Sequence, residues 1–191
     1  GFGNAYHIDR TVRMFERAGA SGIQIEDQLS TKPVADVTKR PLVSTETMVG
    51  KIKAALDARA SDKTIISARS DAVYTEGVDA AMERAVAYAD AGADMVFVPG
   101  MENAEDRTRL CDALGSKVVL LFNLLEPDSL GAPSPADLQA DGFSIVLFPS
   151  VAIGPSANAA WQSLNALAGN DISQDPVAIG TLINADGFQK G

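Results

Sequence analysis

Polar side chains that can do chemistry follow short apolar runs at several points along the chain. In chain order these residues are Glu26, Arg69, Asn123, Glu126 and Ser150. An arginine guanidinium is a planar fork that grips a carboxylate through two charge-assisted hydrogen bonds. A glutamate can hold Mg²⁺ directly or through water, and an asparagine amide can donate to a developing enolate oxygen. Together these residue types favour a site for a small carboxylic acid.

Most of these residues also have a purely structural interpretation, which the spacing alone leaves open. Arg69 can form an ion pair with Asp71 or Glu26. Glu26 can equally be the partner of Arg69 or a cap on the next segment. Asn123, as a lone residue after an apolar run, is typical of a turn. The elements that carry the residues therefore matter as much as the residues themselves.

Helices and strands are predicted to alternate around these positions. Helices are predicted near residues 5–18, 45–58, 77–91, 103–114, 135–140 and 155–168, with a further one near 175–185. Short strands are predicted near residues 22–25, 64–68, 95–98, 118–122 and 144–148. The third helix is expected to bury Val78, Met82, Ala85 and Ala89. The phrase Ala-Gly-Ala, at 18–20 and again at 91–93, ends a helix shortly before a strand, which is typical of a parallel α/β fold.

The five predicted strands leave two architectures open. An open doubly wound sheet can be built from five strands, whereas a (β/α)₈ barrel uses roughly 30 residues for each of its eight units. The chain begins with a helix that no strand precedes, and three more units would need roughly 90 residues. We therefore predict that residues 1–191 form a single domain, the C-terminal part of a (β/α)₈ barrel, with about five βα units and C-terminal helices. In both architectures the functional side chains lie beyond the carboxyl ends of the strands.

A long segment without regular periodicity, residues 28–43, separates the first strand from the helix near 45–58. Loops of this length inside compact domains are often active-site lids. Three cations of the segment can meet an anionic substrate, namely Lys32, Lys39 and Arg40. The alternative is a solvated loop with no part in the site.

The composition argues against several classes of protein. The chain has 16 basic and 25 acidic side chains and a net charge of −9, so neither a nucleic acid nor an anionic membrane is expected as a partner. No apolar run reaches the roughly 18 residues of a membrane span, and the start lacks a signal-peptide pattern. A single cysteine, Cys111, and a single histidine, His7, exclude an internal disulfide and a histidine-cluster metal site. The unpaired thiol and the lack of an export signal suit the cytoplasm. Cys111, His7 and Trp161 are each expected to be structural.

Several motifs make the sequence similar to a known superfamily. They are Gly1-Phe2-Gly3-Asn4, Ile25-Glu26-Asp27-Gln28, Ala68-Arg69-Ser70-Asp71-Ala72 and Asn123-Leu124-Leu125-Glu126. On these residues the chain resembles the isocitrate lyase / phosphoenolpyruvate mutase superfamily, from Gly1 to about Trp161. The order and separation of the second and third motifs make the resemblance specific.

The resemblance implies a (β/α)₈ barrel that assembles as a homotetramer and exchanges a helix between subunits. It implies chemistry next to a carboxylate, through an enolate stabilised by Mg²⁺ (or Mn²⁺). Glu26 then belongs to the metal site, and Arg69 grips a substrate carboxylate. The superfamily's metal-binding aspartate pair would precede Gly1.

Further site residues follow from the same resemblance. Asn123 and Glu126 match a substrate-side motif, and Lys32 matches the first lysine of a mobile active-site loop. Ser150, at the end of the last strand, is added as a substrate-binding residue by its position. Arg69 and Lys32 are thus the predicted catalytic residues, with Glu26 as the metal ligand.

The loop departs from the pattern of isocitrate and methylisocitrate lyases. Their Lys-Lys/Arg-Cys-Gly-His motif aligns with residues 32–36, so Val34 replaces the cysteine and Asp36 the histidine. Pro99 stands where those lyases often have a glutamate. Valine cannot transfer a proton, so cleavage of isocitrate or methylisocitrate by the usual route is not expected.

Two functional hypotheses result. The first is a Mg²⁺-dependent lyase, hydrolase or mutase that acts on a carbon–carbon or carbon–phosphorus bond of a small 2-oxo or 2-hydroxy acid. The second is a catalytically silent family member that binds a small carboxylate or serves as an assembly subunit. Val34, Asp36 and Pro99 support the second hypothesis, whereas an intact metal-binding aspartate pair before Gly1 would favour the first. Within the first hypothesis, a loop without the cysteine favours the mutase, hydrolase and decarboxylase branches.

Overall fold

The computed structural model describes residues 2–29, 36–125 and 131–169. The strands are β1 (Gly22–Glu26), β2 (Ile65–Arg69), β3 (Met95–Phe97), β4 (Val119–Asn123) and β5 (Ile145–Leu147). The helices are α1 (Ala5–Arg17), α2 (Thr45–Ala58), α3 (Val78–Asp90), α4 (Ala104–Leu114), α5 (Pro135–Asp141) and α6 (Ile153–Leu167). Short 3₁₀ helices, at Val37–Lys39 and Ala72–Tyr74, follow β1 and β2. These bounds confirm the predicted alternation, while the helix predicted near 175–185 lies outside the described residues.

The five strands form one sheet in the order β1-β2-β3-β4-β5. The pairs β1–β2, β2–β3 and β3–β4 are parallel. A spatial order that follows the chain is that of a β/α barrel, whereas a doubly wound sheet reverses its direction at a switch point. The order therefore confirms five barrel-type βα units and excludes the open doubly wound alternative.

Three helix-to-strand turns depend on glycine in the left-handed region. Gly19, Gly92 and Gly142 follow α1, α3 and α5 with φ angles of 89°, 101° and 117°. Residues with a Cβ are strained in this conformation, and it lets the chain leave a helix and enter a strand within a few residues. The repeated Ala-Gly-Ala phrase thus predicted the helix ends correctly.

The inner face of α3 differs from its prediction. Its buried residues are Ala81, Arg84, Ala85 and Tyr88, so of the four residues predicted to be buried only Ala85 is. Arg84 donates hydrogen bonds to Glu76 and to the carbonyl of Val43. These partners lie on the segments before α3 and before α2, and α3 buries an arginine and a tyrosine in place of Met82 and Ala89.

The chain divides into two compact units, which are described separately. The first comprises residues 1–122 and 133–146, and the second comprises residues 123–132 and 147–191. In the second unit α6 has no buried residue in the described chain, and Trp161, predicted to be a packing residue, is 48% exposed. The single domain remains a prediction. No helix within the described ranges is long and apolar enough to cross a membrane.

Candidate active site

The carboxyl ends of β1 and β2 bring Glu26 and Arg69 side by side. The parallel register pairs these two residues directly across the strands. The Nε of Arg69 donates a 2.8 Å hydrogen bond to Oδ1 of Asp71 and lies 3.5 Å from Oε2 of Glu26. Both structural partners considered for Arg69 are therefore present, and both engage the same Nε edge of the guanidinium.

The opposite edge of the Arg69 guanidinium is available for a ligand. Its two Nη nitrogens donate no hydrogen bond within the part of the chain that the structure describes, and the side chain is 21% exposed. The guanidinium carbon lies 5.0 Å from the centre of the Phe97 ring, in cation–π geometry. Three contacts thus fix the plane of the fork and leave its two-nitrogen edge to meet a carboxylate.

Asp71 is a buried carboxylate on which several donors converge. Besides Arg69, the amide nitrogen of Gln28 donates to its Oδ2, and Nη1 of Arg40 lies 3.6 Å from the same oxygen. Its own backbone N–H donates to Oδ1 of Asp27 at 3.1 Å. The residue is 0% exposed, so its orientation is set entirely by the protein.

Asp27 is the second buried carboxylate, and it ties β1 to β2 and α3. It accepts hydrogen bonds from Ser70 Oγ at 2.7 Å and from Tyr88 Oη at 2.9 Å. Arg84 lies 3.6 Å away and supplies the positive charge. Burial raises the pKa of Asp27, and the hydrogen bonds oppose that rise. Asp27 therefore acts as the structural support for the Ser70–Asp71 backbone.

The segment after β1 is closed at its base by antiparallel pairing. Gln28 pairs with Leu42, and the N–H of Val43 donates to the carbonyl of Asp27 at 2.7 Å. This pairing brings Arg40 inward, where its side chain is only 13% exposed. Of the three cations predicted to meet a substrate, Arg40 points to the site, whereas Lys39 is 79% exposed and paired with Asp36.

Lys51 is a buried cation that the sequence analysis did not single out. It lies on the inner face of α2 and is 2% exposed, and its Nζ is 3.5 Å from the carbonyl oxygen of Glu26. Burial lowers its pKa, while the charges of Asp27 and Glu26 act in the opposite direction. Lys51 thus holds the backbone at the end of β1, next to the site residues.

The structure places four of the six predicted site residues. Glu26 and Arg69 lie together in the first unit. Asn123 ends β4 and Ser150 precedes α6, and both belong to the second unit. Lys32 and Glu126 lie outside the described residues, as does Val34. The site-residue assignments therefore remain predictions.

His7 and Cys111 have the structural roles expected of them. The Nδ1 of His7 accepts a hydrogen bond from the N–H of Asn4 and completes the cap of α1. Cys111 is buried in α4, and burial raises its pKa to about 11. A thiol in this state is a poor nucleophile near neutral pH.

The described residues alone do not make a metal site. No group of three histidine, cysteine, aspartate or glutamate side chains suited to a metal ion occurs among them. Asp27 and Asp71 are held by the donors described above, and Glu26, whose side chain is 20% exposed, lies 3.5 Å from Arg69 at the rim. Mg²⁺ takes oxygen ligands in an octahedron, often with several waters, so Glu26 can be one contributor to such a site.

Comparison with known proteins identifies relatives over nearly the whole chain. Residues 1–168 match the family model described as phosphoenolpyruvate phosphomutase. The chain is 39% identical over 171 residues to 2,3-dimethylmalate lyase of Eubacterium barkeri, covering 90% of this chain and 58% of that protein. It is also 39% identical over 153 residues to 2-methylisocitrate lyase of Vibrio cholerae, covering 78% and 50% respectively.

Solved structures give the same result. A crystal structure of 2,3-dimethylmalate lyase matches with a TM-score of 0.80 at 30% identity, covering 99% of this chain and 64% of that one. A crystal structure of phosphonopyruvate hydrolase in complex with oxalate and Mg²⁺ matches with a TM-score of 0.70 at 28% identity, covering 99% and 67%.

The chain therefore belongs to the phosphoenolpyruvate mutase / isocitrate lyase superfamily, which confirms the resemblance seen in its motifs. The matching members are lyases, mutases and hydrolases of small acids. The chain spans 50% to 58% of the length of the two curated relatives described above.

Proposed function

We propose that the full-length protein is a lyase, hydrolase or mutase that acts on a small 2-oxo or 2-hydroxy acid next to its carboxylate. The reaction breaks or forms a carbon–carbon or carbon–phosphorus bond and passes through an enolate-like species. The proposal includes a Mg²⁺ (or Mn²⁺) ion, a cytoplasmic location and a homotetramer, as the family resemblance implies.

The geometry of Arg69 is the observation that carries the proposal. Its guanidinium is held on the Nε edge by Asp71 and Glu26 and on one face by Phe97. A bidentate hydrogen bond to a carboxylate fixes both the position and the orientation of the substrate. In this proposal Arg69 binds the substrate carboxylate and sets the angle at which the adjacent carbon is presented.

The other predicted residues keep their roles as parts of the proposal. Glu26 contributes to the metal site, whose remaining ligands lie beyond the described residues. Asn123 and Ser150 contact the substrate, and so does Glu126. Lys32 acts from the loop.

The loop chemistry favours a reaction other than methylisocitrate cleavage, although some relatives bear that name. Asp36 stands where those lyases have a histidine. Lys39 and Thr38 lower its pKa to about 2, so the carboxyl group stays ionised at neutral pH and cannot donate a proton. We therefore favour the hydrolase, mutase and decarboxylase branches for this chain.

Oxalate is the probe that tests the proposal, because it mimics a planar enolate and is bound with Mg²⁺ by phosphonopyruvate hydrolase. We expect the full-length protein to bind oxalate in a saturable manner by calorimetry when Mg²⁺ is present. Arg69→Lys should weaken this binding about tenfold or more, since a lysine is a point charge without the bidentate fork.

The matched control is Arg59→Lys. Arg59 forms an ion pair with Asp94 at the amino end of the sheet, so the same substitution there should leave oxalate affinity unchanged. Failure of the wild-type protein to bind oxalate would refute the proposal. Oxalate binding without turnover of any oxo acid in a substrate screen would instead favour the silent, carboxylate-binding family member.

A further inference from the structure

Asp71 contacts Arg69 and is itself contacted by side chains from two other segments of the chain. It follows β2 by two residues, it receives Gln28 from the end of β1, and it receives Arg40 from the segment before α2. Its Oδ1 accepts from Arg69, while its Oδ2 faces Gln28 and Arg40. One carboxylate oxygen of Asp71 thus accepts from Arg69, and the other binds the side chains of Gln28 and Arg40.

The nitrogen of Arg69 that Asp71 contacts links this arrangement to function. A partner on the Nη edge would compete with a substrate carboxylate for the bidentate face of the guanidinium. Asp71 contacts Nε instead, which restrains rotation of the guanidinium and keeps the Nη edge for a ligand. The Phe97 ring, 5.0 Å from the guanidinium carbon, restrains the tilt of the same group.

The contacts of Asp71 are more demanding than an ion pair that only stabilises the fold would require. The two side chains that approach its Oδ2 each leave a buried polar atom without a hydrogen-bond partner among the described residues, namely Gln28 Oε1 and Arg40 Nε. Most buried polar atoms in proteins have partners, and an exception calls for an explanation. Precise placement of Asp71 at the site provides one.

We propose that Asp71 is a positioning residue for substrate binding: it holds Arg69 by its Nε edge so that the Nη edge meets the substrate carboxylate. This inference rests on the proposed role of Arg69. Gln28 and Arg40 hold Asp71 on its other oxygen, and Asp27 holds its backbone. Asp71 itself does not touch the substrate.

The test measures oxalate affinity in the full-length protein with Mg²⁺, for wild type, Asp71→Asn and Asp94→Asn. Asp94 is the matched control, since it also accepts a hydrogen bond from an arginine, Arg59, but at the amino end of the sheet. We expect Asp71→Asn to weaken oxalate binding about tenfold, because it removes the negative charge that strengthens the hydrogen bond from Arg69 and leaves a weaker, neutral acceptor. Asp94→Asn should lower the melting temperature and leave oxalate affinity unchanged.

A double-mutant cycle separates positioning from general damage to the fold. If Asp71 acts through Arg69, the loss of affinity in Arg69→Lys with Asp71→Asn will be smaller than the product of the two single losses. Independent structural damage would give multiplicative losses. The cycle therefore reports on the coupling even if both variants are less stable.

Each remaining outcome decides the inference. If wild type binds oxalate and Asp71→Asn binds it within twofold, the inference is wrong and the proposed function stands. If wild type does not bind oxalate, both are wrong. Should Asp71→Asn fail to fold, nuclear magnetic resonance of the wild type replaces it: a slowly exchanging Nε–H signal that disappears in Arg69→Lys is expected, and its absence would overturn the inference.

Discussion

Two arginines at opposite ends of the sheet, Arg59 and Arg69, differ in how many of their hydrogen-bond donors are engaged. At the amino end, Arg59 donates to Asp94 at 2.6 Å and to the carbonyl of Thr64 at 2.9 Å. Asp94 in turn accepts from the N–H of Ile66. At the carboxyl end, Arg69 is held on its Nε edge and on one face, and its Nη nitrogens donate no hydrogen bond to any residue of the described ranges. Arg59 and Asp94 therefore hold backbone groups in place at the amino end, whereas Arg69 at the carboxyl end keeps its Nη edge for a ligand.

This difference teaches how the same chemistry can serve stability or function. Glu16, near the amino end, accepts from Thr64 Oγ1 and from the N–H of Ala60, so both of its carboxylate oxygens are engaged. In β/α barrels conserved function lies at the carboxyl ends of the strands and stability at the opposite face. We therefore expect substitutions at the two ends to separate ligand affinity from stability.

The largest effect is expected at Asp27, the buried support of the carboxyl end. Asp27→Ala removes the acceptor for the hydroxyls of Ser70 and Tyr88 and for the backbone N–H of Asp71, while Arg84 keeps its ion pair with Glu76. Because three buried donors lose their acceptor, the free energy of unfolding should fall by about 3 kcal/mol or more, measured from urea denaturation.

The matched control for this prediction is Asp9→Ala. Asp9 pairs with Arg13 on the surface of α1, and its side chain is 50% exposed. Exposed pairs contribute at most about 1 kcal/mol. Equal losses of stability in the two variants would mean that the buried network around Asp27 does not support the site.

The next effect concerns the amino end, at the turn before β5. Gly142→Ala places a Cβ 3.3 Å from the Cβ of Cys111 at a φ of 117°, so the free energy of unfolding should fall by about 1–2 kcal/mol. The control is Gly50→Ala on the exposed face of α2, where an added Cβ meets nothing within 4 Å. That change should stabilise the protein by up to about 1 kcal/mol. Thermal melting measures both changes, and oxalate affinity should stay constant in each variant. If Gly50→Ala lowered the melting temperature, the free space around Gly50 and its helical conformation would not explain the difference from Gly142.

Local sequence signals predicted the elements but not the contacts between them. The spacing of apolar residues located the strands, and Gly19 and Gly92 located two helix ends. Both signals depend on only a few neighbouring residues. The order of the sheet then followed from the repetition of βα units. These features need no knowledge of the side chains that meet across the sheet.

The convergence on Asp71 could not be predicted in the same way. Gln28, Arg40 and Arg69 meet it only because the register of β1 with β2 and the pairing at the base of the 28–43 segment bring distant positions together. The sequence offered one signal, the short Arg-Ser-Asp spacing, which allowed an ion pair but gave no choice between Nε and Nη. The polar inner face of α3 was missed for a related reason, since Arg84 is buried by partners on other segments.

The smallest effect tests the amino end by its pH dependence. The hydrogen bonds from Thr64 and Ala60 lower the pKa of Glu16 from its ordinary 4.5. A carboxyl group with a lowered pKa in the folded state contributes stability above its ordinary pKa and loses it as the pH falls through the lowered value. Glu16→Gln should therefore reduce the melting temperature at about pH 7, with a gap to wild type that narrows as the pH falls below the ordinary pKa of 4.5. Glu83→Gln, on the exposed part of α3, provides the control with the same change of charge. A gap that stays constant across this range would mean that the charge on Glu16 adds nothing to the lock at the amino end.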